Sequence, residues 1–141
     1  MTSNRAEILL VEDDPNDIAV ALRAFRRHSL ADRVRILRDG AELVDYLLAP
    51  GNRPNLPKVI LLDLKMPRLD GRAALRELRS RRETRHIPIV IVSSSDQQGD
   101  VRECYELGAN SFVVKQLNPW APGEYLVDTV RYWIDMNEVA S

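Results

Sequence analysis

Glu12, Asp13 and Asp14 follow directly on the apolar run ILLV, with Asp17 close behind. Asp63 ends a second apolar run, KVILLD; Ser93 falls near the end of a third, IPIVIVSSS; Lys115 ends a fourth, SFVVK. Acids crowded in this way repel one another, and strand ends are usually closed by Gly, Asn or Ser. The pattern calls for a positive partner. Three carboxylates with a few waters suit a hard divalent cation such as Mg2+, with Mn2+ as a substitute. A cation held so keeps positions open for phosphate oxygens. Lys115 adds a point charge and Ser93 a donor for the remaining oxygens. An aspartate carboxylate can itself attack phosphorus. Asp63 closes the most continuous apolar run and is assigned that role.

These groups work together only if the chain brings the run ends to one place. The runs at 7–11, 58–63 and 87–95 read as strands buried on both faces, and 33–37, which alternates, as a strand nearer an edge. A fifth strand spans 111–115. Between them come amphipathic stretches. Pro15 opens a helix carrying Ile18, Leu22 and Phe25; others are expected over 41–48, over 71–80 with Asp70 as cap, around 101–107 closed by Gly108, and from about 122 to 137. Residues 49–57 form a breaker-rich loop. Strands alternating with helices imply a parallel five-stranded sheet with helices on both faces, an α/β fold. In such sheets ligands bind outside the carboxyl ends of the strands, where all the groups above fall.

Composition agrees with a single domain over residues 1–141. The chain is 45% hydrophobic and 29% charged, which is ordinary for a globular protein. Its net charge of −1 gives no footprint for nucleic acid. The arginine-rich stretch 76–86 reads as a solvated helix face and exit loop. No run reaches the roughly 18 apolar residues of a membrane span. The polar start MTSNRAE has no signal-peptide core, so a cytoplasmic location is expected. Cys104 stands alone and forms no internal disulfide.

With these motifs in order, the chain resembles the receiver domains of two-component response regulators over essentially its whole length. LLVEDDP resembles the family's acidic pair. LLDLKMPRLDG resembles the phosphoacceptor motif, with Asp63, Pro67, Asp70 and Gly71 in their family places. IVSSSD supplies a hydroxyl at Ser93 followed by the small Ser94, and GANSFVVK supplies an aromatic at Phe112 and the lysine at Lys115. The resemblance implies a doubly wound, flavodoxin-like sheet with strand order 2-1-3-4-5. It implies a phosphoryl group passed from a sensor histidine kinase to Asp63. The cation would be held by Glu12, Asp13, Asp63 and the main-chain carbonyl of Lys65. Ser93, Ser94 and Lys115 would bind the phosphoryl oxygens; Ser93 would then move inward and Phe112 follow. It implies no catalysis beyond the chain's own phosphoryl transfer and autodephosphorylation.

Two positions depart from the family pattern. A proline in cis linkage usually follows the lysine; here Gln116 does, and a cis bond before a non-proline residue costs about 3 kcal/mol. Either that strain is kept or the loop QLNPWAPG takes another path. Lys65, two residues after Asp63, lies where it could alter how fast water attacks the phosphoryl group. Gln116, the absence of an output domain and the ending YLVDTVRYWIDMN resemble the single-domain regulators that partner bacterial phytochromes, which implies a phytochrome kinase as donor.

Other readings carry less. A phosphatase of the haloacid dehalogenase type would place a second aspartate where Lys65 stands. A flavin protein would want a hydroxyl- and glycine-rich loop in place of EDDPND. A degenerate receiver, binding partners without phosphorylation, would have lost an acid or the lysine. Asp14 and Asp17 read as acids favoured at a helix N-terminus, and His28 and His86 as surface residues without metal-ligand spacing. On the last helix, Leu126, Val130, Trp133, Ile134 and Asn137 form the face toward the sheet. Tyr125, Thr129, Tyr132 and Met136 form a second stripe, expected to build a homodimer with the fifth strand, to which Leu117, Pro119 and Trp120 would add.

Overall fold

The structure, a computed structural model, describes residues 6–51 and 56–140. Residues 1–5, 52–55 and 141 lie outside it, and with them parts of the polar N-terminus and of the breaker-rich loop. Five strands alternate with five helices: β1 (Ile8–Val11), α1 (Pro15–Arg27), β2 (Val34–Leu37), α2 (Gly40–Leu48), β3 (Val59–Leu62), α3 (Gly71–Ser80), β4 (Ile89–Ser93), α4 (Gln98–Glu106), β5 (Ser111–Val114) and α5 (Glu124–Arg131). All pairings are parallel, in the order β2-β1-β3-β4-β5. The expected fold and strand order are those observed.

The three continuous apolar runs became the three central strands. Every residue of β1, β3 and β4 is buried, whereas β2 and β5 lie at the edges and are partly exposed. Alternate residues divide between two apolar layers. Leu9, Val11, Ile60, Leu62, Ile89 and Ile91 pack with α2, α3 and Cys104 of α4. Ile8, Leu10, Val59, Leu61, Val90 and Val92 pack with Phe25 of α1 and with Leu126, Val127 and Val130 of α5. Burial also pushes the Cys104 thiol up, away from the reactive thiolate.

Three helices start on an aspartate that accepts from their free N–H groups. Asp14 accepts from Asn16 and Asp17, Asp39 from Glu42, and Asp70 from Ala73. Helix α4 begins three residues earlier than its apolar periodicity suggests, because its first turn, QGD, is solvated and gives no periodic signal. The last helix is shorter than expected. Gly123 takes φ +77, so α5 begins at Glu124, and after Arg131 the chain widens into a π turn over Tyr132–Met136. The buried face is Leu126, Val127, Val130 and Ile134; Trp133 and Asn137 are only half-buried, a correction to the expected stripe.

His28 is also not the bland surface residue expected. It is half-buried, with Nε2 at 2.6 Å from Glu124 Oε1 and Nδ1 at 3.1 Å from the Arg131 guanidinium. A guanidinium cannot accept, so Nδ1 accepts and Nε2–H donates. This links the end of α1 to α5. Arg79 is a second link. Its guanidinium donates to the carbonyls of Gly108, Arg85 and Ile87 and to Asn110 Oδ1, tying α3 to the start of β4 and the loop before β5. Arg79→Met keeps the stem but strands those acceptors. A loss of about 2 kcal/mol is expected in urea unfolding; an unchanged midpoint would show that water replaces the guanidinium at no cost.

Candidate functional site

The carboxyl ends of β1, β3, β4 and β5 are adjacent, and their side chains meet in one cleft. Register explains this. Val11 pairs with Leu62, so the residues that follow, Glu12 and Asp63, leave the sheet side by side. Ser93 pairs with Val114, and the next backbone N–H, that of Lys115, donates to the Ser93 carbonyl at 2.7 Å. Lys115 is thus fixed by the sheet before the following loop begins. No cis peptide bond occurs among the described residues, so the loop after Lys115 takes another path and keeps no cis strain.

The ligand oxygens of Glu12, Asp13 and Asp63 all lie within 4.8 Å of one another. Hard oxygen donors at that spacing suit a hexacoordinate divalent cation with waters completing its shell. Glu12 is buried, Asp13 exposed, and Asp63 9% exposed, so the site opens to solvent on one side. Lys65 and Ser94 line the same cleft. The Lys65 N–H lies 3.5 Å from Asp63 Oδ1, a long contact.

Lys115 Nζ stands 2.9 Å from Glu12 Oε1, 2.9 Å from Asp17 Oδ2 and 3.5 Å from Asp63 Oδ2. Asp17 is therefore part of the site and not merely a helix-dipole acid. Burial alone would lower the Lys115 ammonium, but the hydrogen bonds it donates to Asp17 and Glu12, with the Asp63 charge, hold it well above its ordinary value. Glu12 is pushed up to about 7, chiefly by burial; Lys115 opposes this and Asp63 adds to it. A carboxyl raised above its ordinary 4.5 contributes stability below that value and loses it as pH rises to about 7. A divalent cation needs the ionised form. Apparent Mg2+ affinity is therefore expected to fall about tenfold between pH 8 and pH 6. Calorimetric titration at the two pH values checks this, and equal affinities would contradict it.

Ser93 sits at the end of β4, 3% exposed, and its Oγ accepts from the Ser95 N–H at 3.1 Å. Phe112 is half-buried against the apolar layer that holds α2, α3 and Cys104. Next to these groups, and lined in part by Glu12, Asp17, Asp63 and Lys115 themselves, a mainly apolar cavity of about 320 Å³ lies between α1 and α5. Its rim is the loop after β5, where Leu117 and Trp120 are 97% and 93% exposed. On α5, Tyr125 and Thr129 are half-buried, while in the π turn that follows Tyr132 and Met136 point outward at 48% and 73% exposure.

Sequence reading missed two further groups. Asp39 is buried and bidentate with Arg68, whose φ is +62, in the loop after Asp63. The guanidinium holds the Asp39 carboxyl below its usual range. Arg72 joins α3 to Asp100 and Glu103 of α4. The only sequence signal for either was an arginine and an acid in separate loops or helix ends.

A family model described as the response regulator receiver domain matches residues 8–121. The chain is 34% identical over 131 residues to a probable methanogenesis regulatory protein, FilR2, of Methanothrix harundinacea (strain 6Ac), covering 92% of this chain and 84% of that protein. It is 34% identical over 113 residues to the response regulator Rcp1 of Synechocystis sp. (strain ATCC 27184 / PCC 6803 / Kazusa), covering 79% and 77%. The Mn2+-bound form of Rcp1 superposes with a TM-score of 0.81 at 29% identity, covering 95% of this chain and 98% of that one. The phosphorylated cyanobacterial phytochrome response regulator RcpA superposes with a TM-score of 0.84 at 29% identity, covering 97% and 99%.

Proposed function

We propose, since the chain belongs to the response regulator receiver domain family, that it takes its phosphoryl group on Asp63, from a sensor histidine kinase of the phytochrome type. The chain is a signalling protein of the two-component phosphorelay. What carries the assignment to Asp63 is one arrangement: a buried carboxylate at the end of β3 has Lys115 at 3.5 Å and two further acids within 4.8 Å.

Glu12, Asp13, Asp63 and the Lys65 carbonyl would hold Mg2+, or Mn2+ in its place. Bound there, a divalent cation draws negative charge from the phosphoryl oxygens and lets an anionic donor approach four acids. An Asp63 oxygen forms the new bond to phosphorus as the phosphorus–nitrogen bond of the kinase's phosphohistidine breaks. The electron pair of that bond returns to the imidazole. Lys115 moves from the carboxylates it now bridges onto a phosphoryl oxygen. Ser93 and Ser94 supply donors to the others, and Phe112 follows Ser93 into the space it leaves. Water attacking phosphorus, with Lys65 beside it, breaks the bond to the Asp63 oxygen, releases inorganic phosphate and returns the chain to its starting state.

The similarity to Rcp1 and RcpA supports a phytochrome kinase as donor. Transfer of phosphate from such a kinase, autophosphorylated in the dark or in red light, tests the partner directly. Tyr132 and Met136, with the exposed edge residue Val114, support a homodimer through α5 and β5. Sedimentation velocity is expected to give a dimer for the unaltered chain and a monomer for Tyr132→Asp combined with Met136→Asp. A monomer for both, across a concentration series, removes that surface from the reading.

A further inference from the structure

Ser93 does not face the cleft freely. Its Oγ accepts from the Ser95 N–H, and the Ser95 side chain is itself tied down. Ser95 Oγ accepts from the Gln97 N–H at 3.2 Å and donates to Asp100 Oδ2 at 2.5 Å. The other Asp100 oxygen accepts from the Arg72 guanidinium at 2.7 Å, and Arg72 Nε reaches Glu103 Oε1 at 2.8 Å. Arg72 is the second residue of α3. The first, Gly71, donates its N–H to the Leu64 carbonyl directly after Asp63. The connections thus close a ring from the end of β3, through α3 and the first turn of α4, to the hydroxyl at the end of β4.

Helix α4 is otherwise lightly held. Its N-cap, Gln97, makes no side-chain capping bond, and Cys104 is its one buried residue. An element with few buried contacts and an uncapped first turn opens at low free energy. Asp100 and Glu103 both tie α4 to α3 through Arg72, and Asp100 alone also ties it to the loop before it, through Ser95.

We propose that Ser95 and Asp100 are positioning residues for phosphoryl uptake, holding Ser93 and the first turn of α4 in the unphosphorylated arrangement. This rests on the reading of Asp63 as phosphoacceptor and of Ser93 as the hydroxyl that turns to the phosphoryl group. For Ser93 to turn, the Ser95 N–H contact must give way, and the Ser95–Asp100 bond stands behind it. Phosphoryl binding and release of α4 are then coupled. By linkage, whatever weakens the Ser95–Asp100 bond tightens binding at Asp63.

The test is a titration of the full chain with beryllofluoride, a phosphoryl mimic, at saturating Mg2+, followed by 19F NMR. Ser95→Ala and Asp100→Ala are each expected to bind about fivefold more tightly than the unaltered chain. The double variant is expected to bind no more tightly than the better single, because both changes cut the same link. Glu103→Gln, which removes only the outer partner of Arg72, is expected to leave affinity unchanged. A merely structural role would lower the unfolding midpoint without raising affinity. Unchanged or weaker binding by Ser95→Ala, with normal binding by the unaltered chain, overturns the coupling alone. Failure of the unaltered chain to bind beryllofluoride overturns the reading of the site and this inference with it.

Discussion

Asp63→Asn is expected to abolish the phosphoryl adduct that the unaltered chain forms with a small acyl-phosphate donor in the presence of Mg2+. Intact mass, with and without Mg2+, reads the result. The amide has the same shape but no carboxylate oxygen to attack phosphorus, and one charged cation ligand is lost with it. The variant should nonetheless fold. Lys115 keeps Glu12 and Asp17 at 2.9 Å, and the Asp63 charge that repels Glu12 is gone. Its stability without Mg2+ is therefore expected to match the unaltered chain or exceed it by up to about 1 kcal/mol. An adduct that survives in Asp63→Asn places the nucleophile elsewhere. No adduct on the unaltered chain, with Mg2+ shown to bind, removes the phosphoacceptor role and leaves a receiver that works by docking alone.

Gly71→Ala carries the second large effect, and it acts through the backbone. A Cβ at Gly71 would overlap the Asp63 carbonyl oxygen and come within 2.8 Å of the Leu64 Cα. Neither is a flexible side chain that can step aside. The start of α3 must lift, stretching the Gly71 N–H bond to the Leu64 carbonyl, or the end of β3 must bend. Overpacking of this kind costs about 3 kcal/mol. Because the atoms displaced belong to Asp63, Mg2+ affinity is expected to fall as well. Gly99→Ala is the control: a Cβ there meets nothing within 4 Å, and an alanine in the first turn of α4 should be neutral or stabilising by up to about 1 kcal/mol. Urea unfolding with Mg2+ titration of both variants decides the matter. A Gly71→Ala chain as stable as the unaltered one would mean that the turn after β3 yields easily.

Much of the site was legible in the sequence because strands and acids share one-dimensional signals. An apolar run buried on both faces has a definite end, and in a parallel sheet all such ends point the same way. Glu12, Asp63 and Lys115 therefore fall together on sequence grounds alone. One edge strand was legible too, as the alternation of 33–37 was the mark of partial exposure; 111–115 carried no such mark. The helix ends were less so. The first turn of α4 and the π turn after Arg131 carry no apolar period, and periodicity cannot count residues in a widened turn.

What the sequence by itself determined was the order of elements, the strands buried on both faces, and the set of groups delivered to the strand ends. Only the tertiary structure decided which of those groups touch. Asp17 and Lys115 are 98 residues apart, His28 and Glu124 are 96, and Arg72 and Asp100 are 28. Each of these pairs depends on the rotational phase of a helix against its neighbour and on which elements the sheet order sets side by side. A polar residue on a solvated face satisfies the local pattern whichever partner it meets. Hydrogen bonds between such residues are therefore fixed by packing, and not by the periodicity that packing leaves in the sequence.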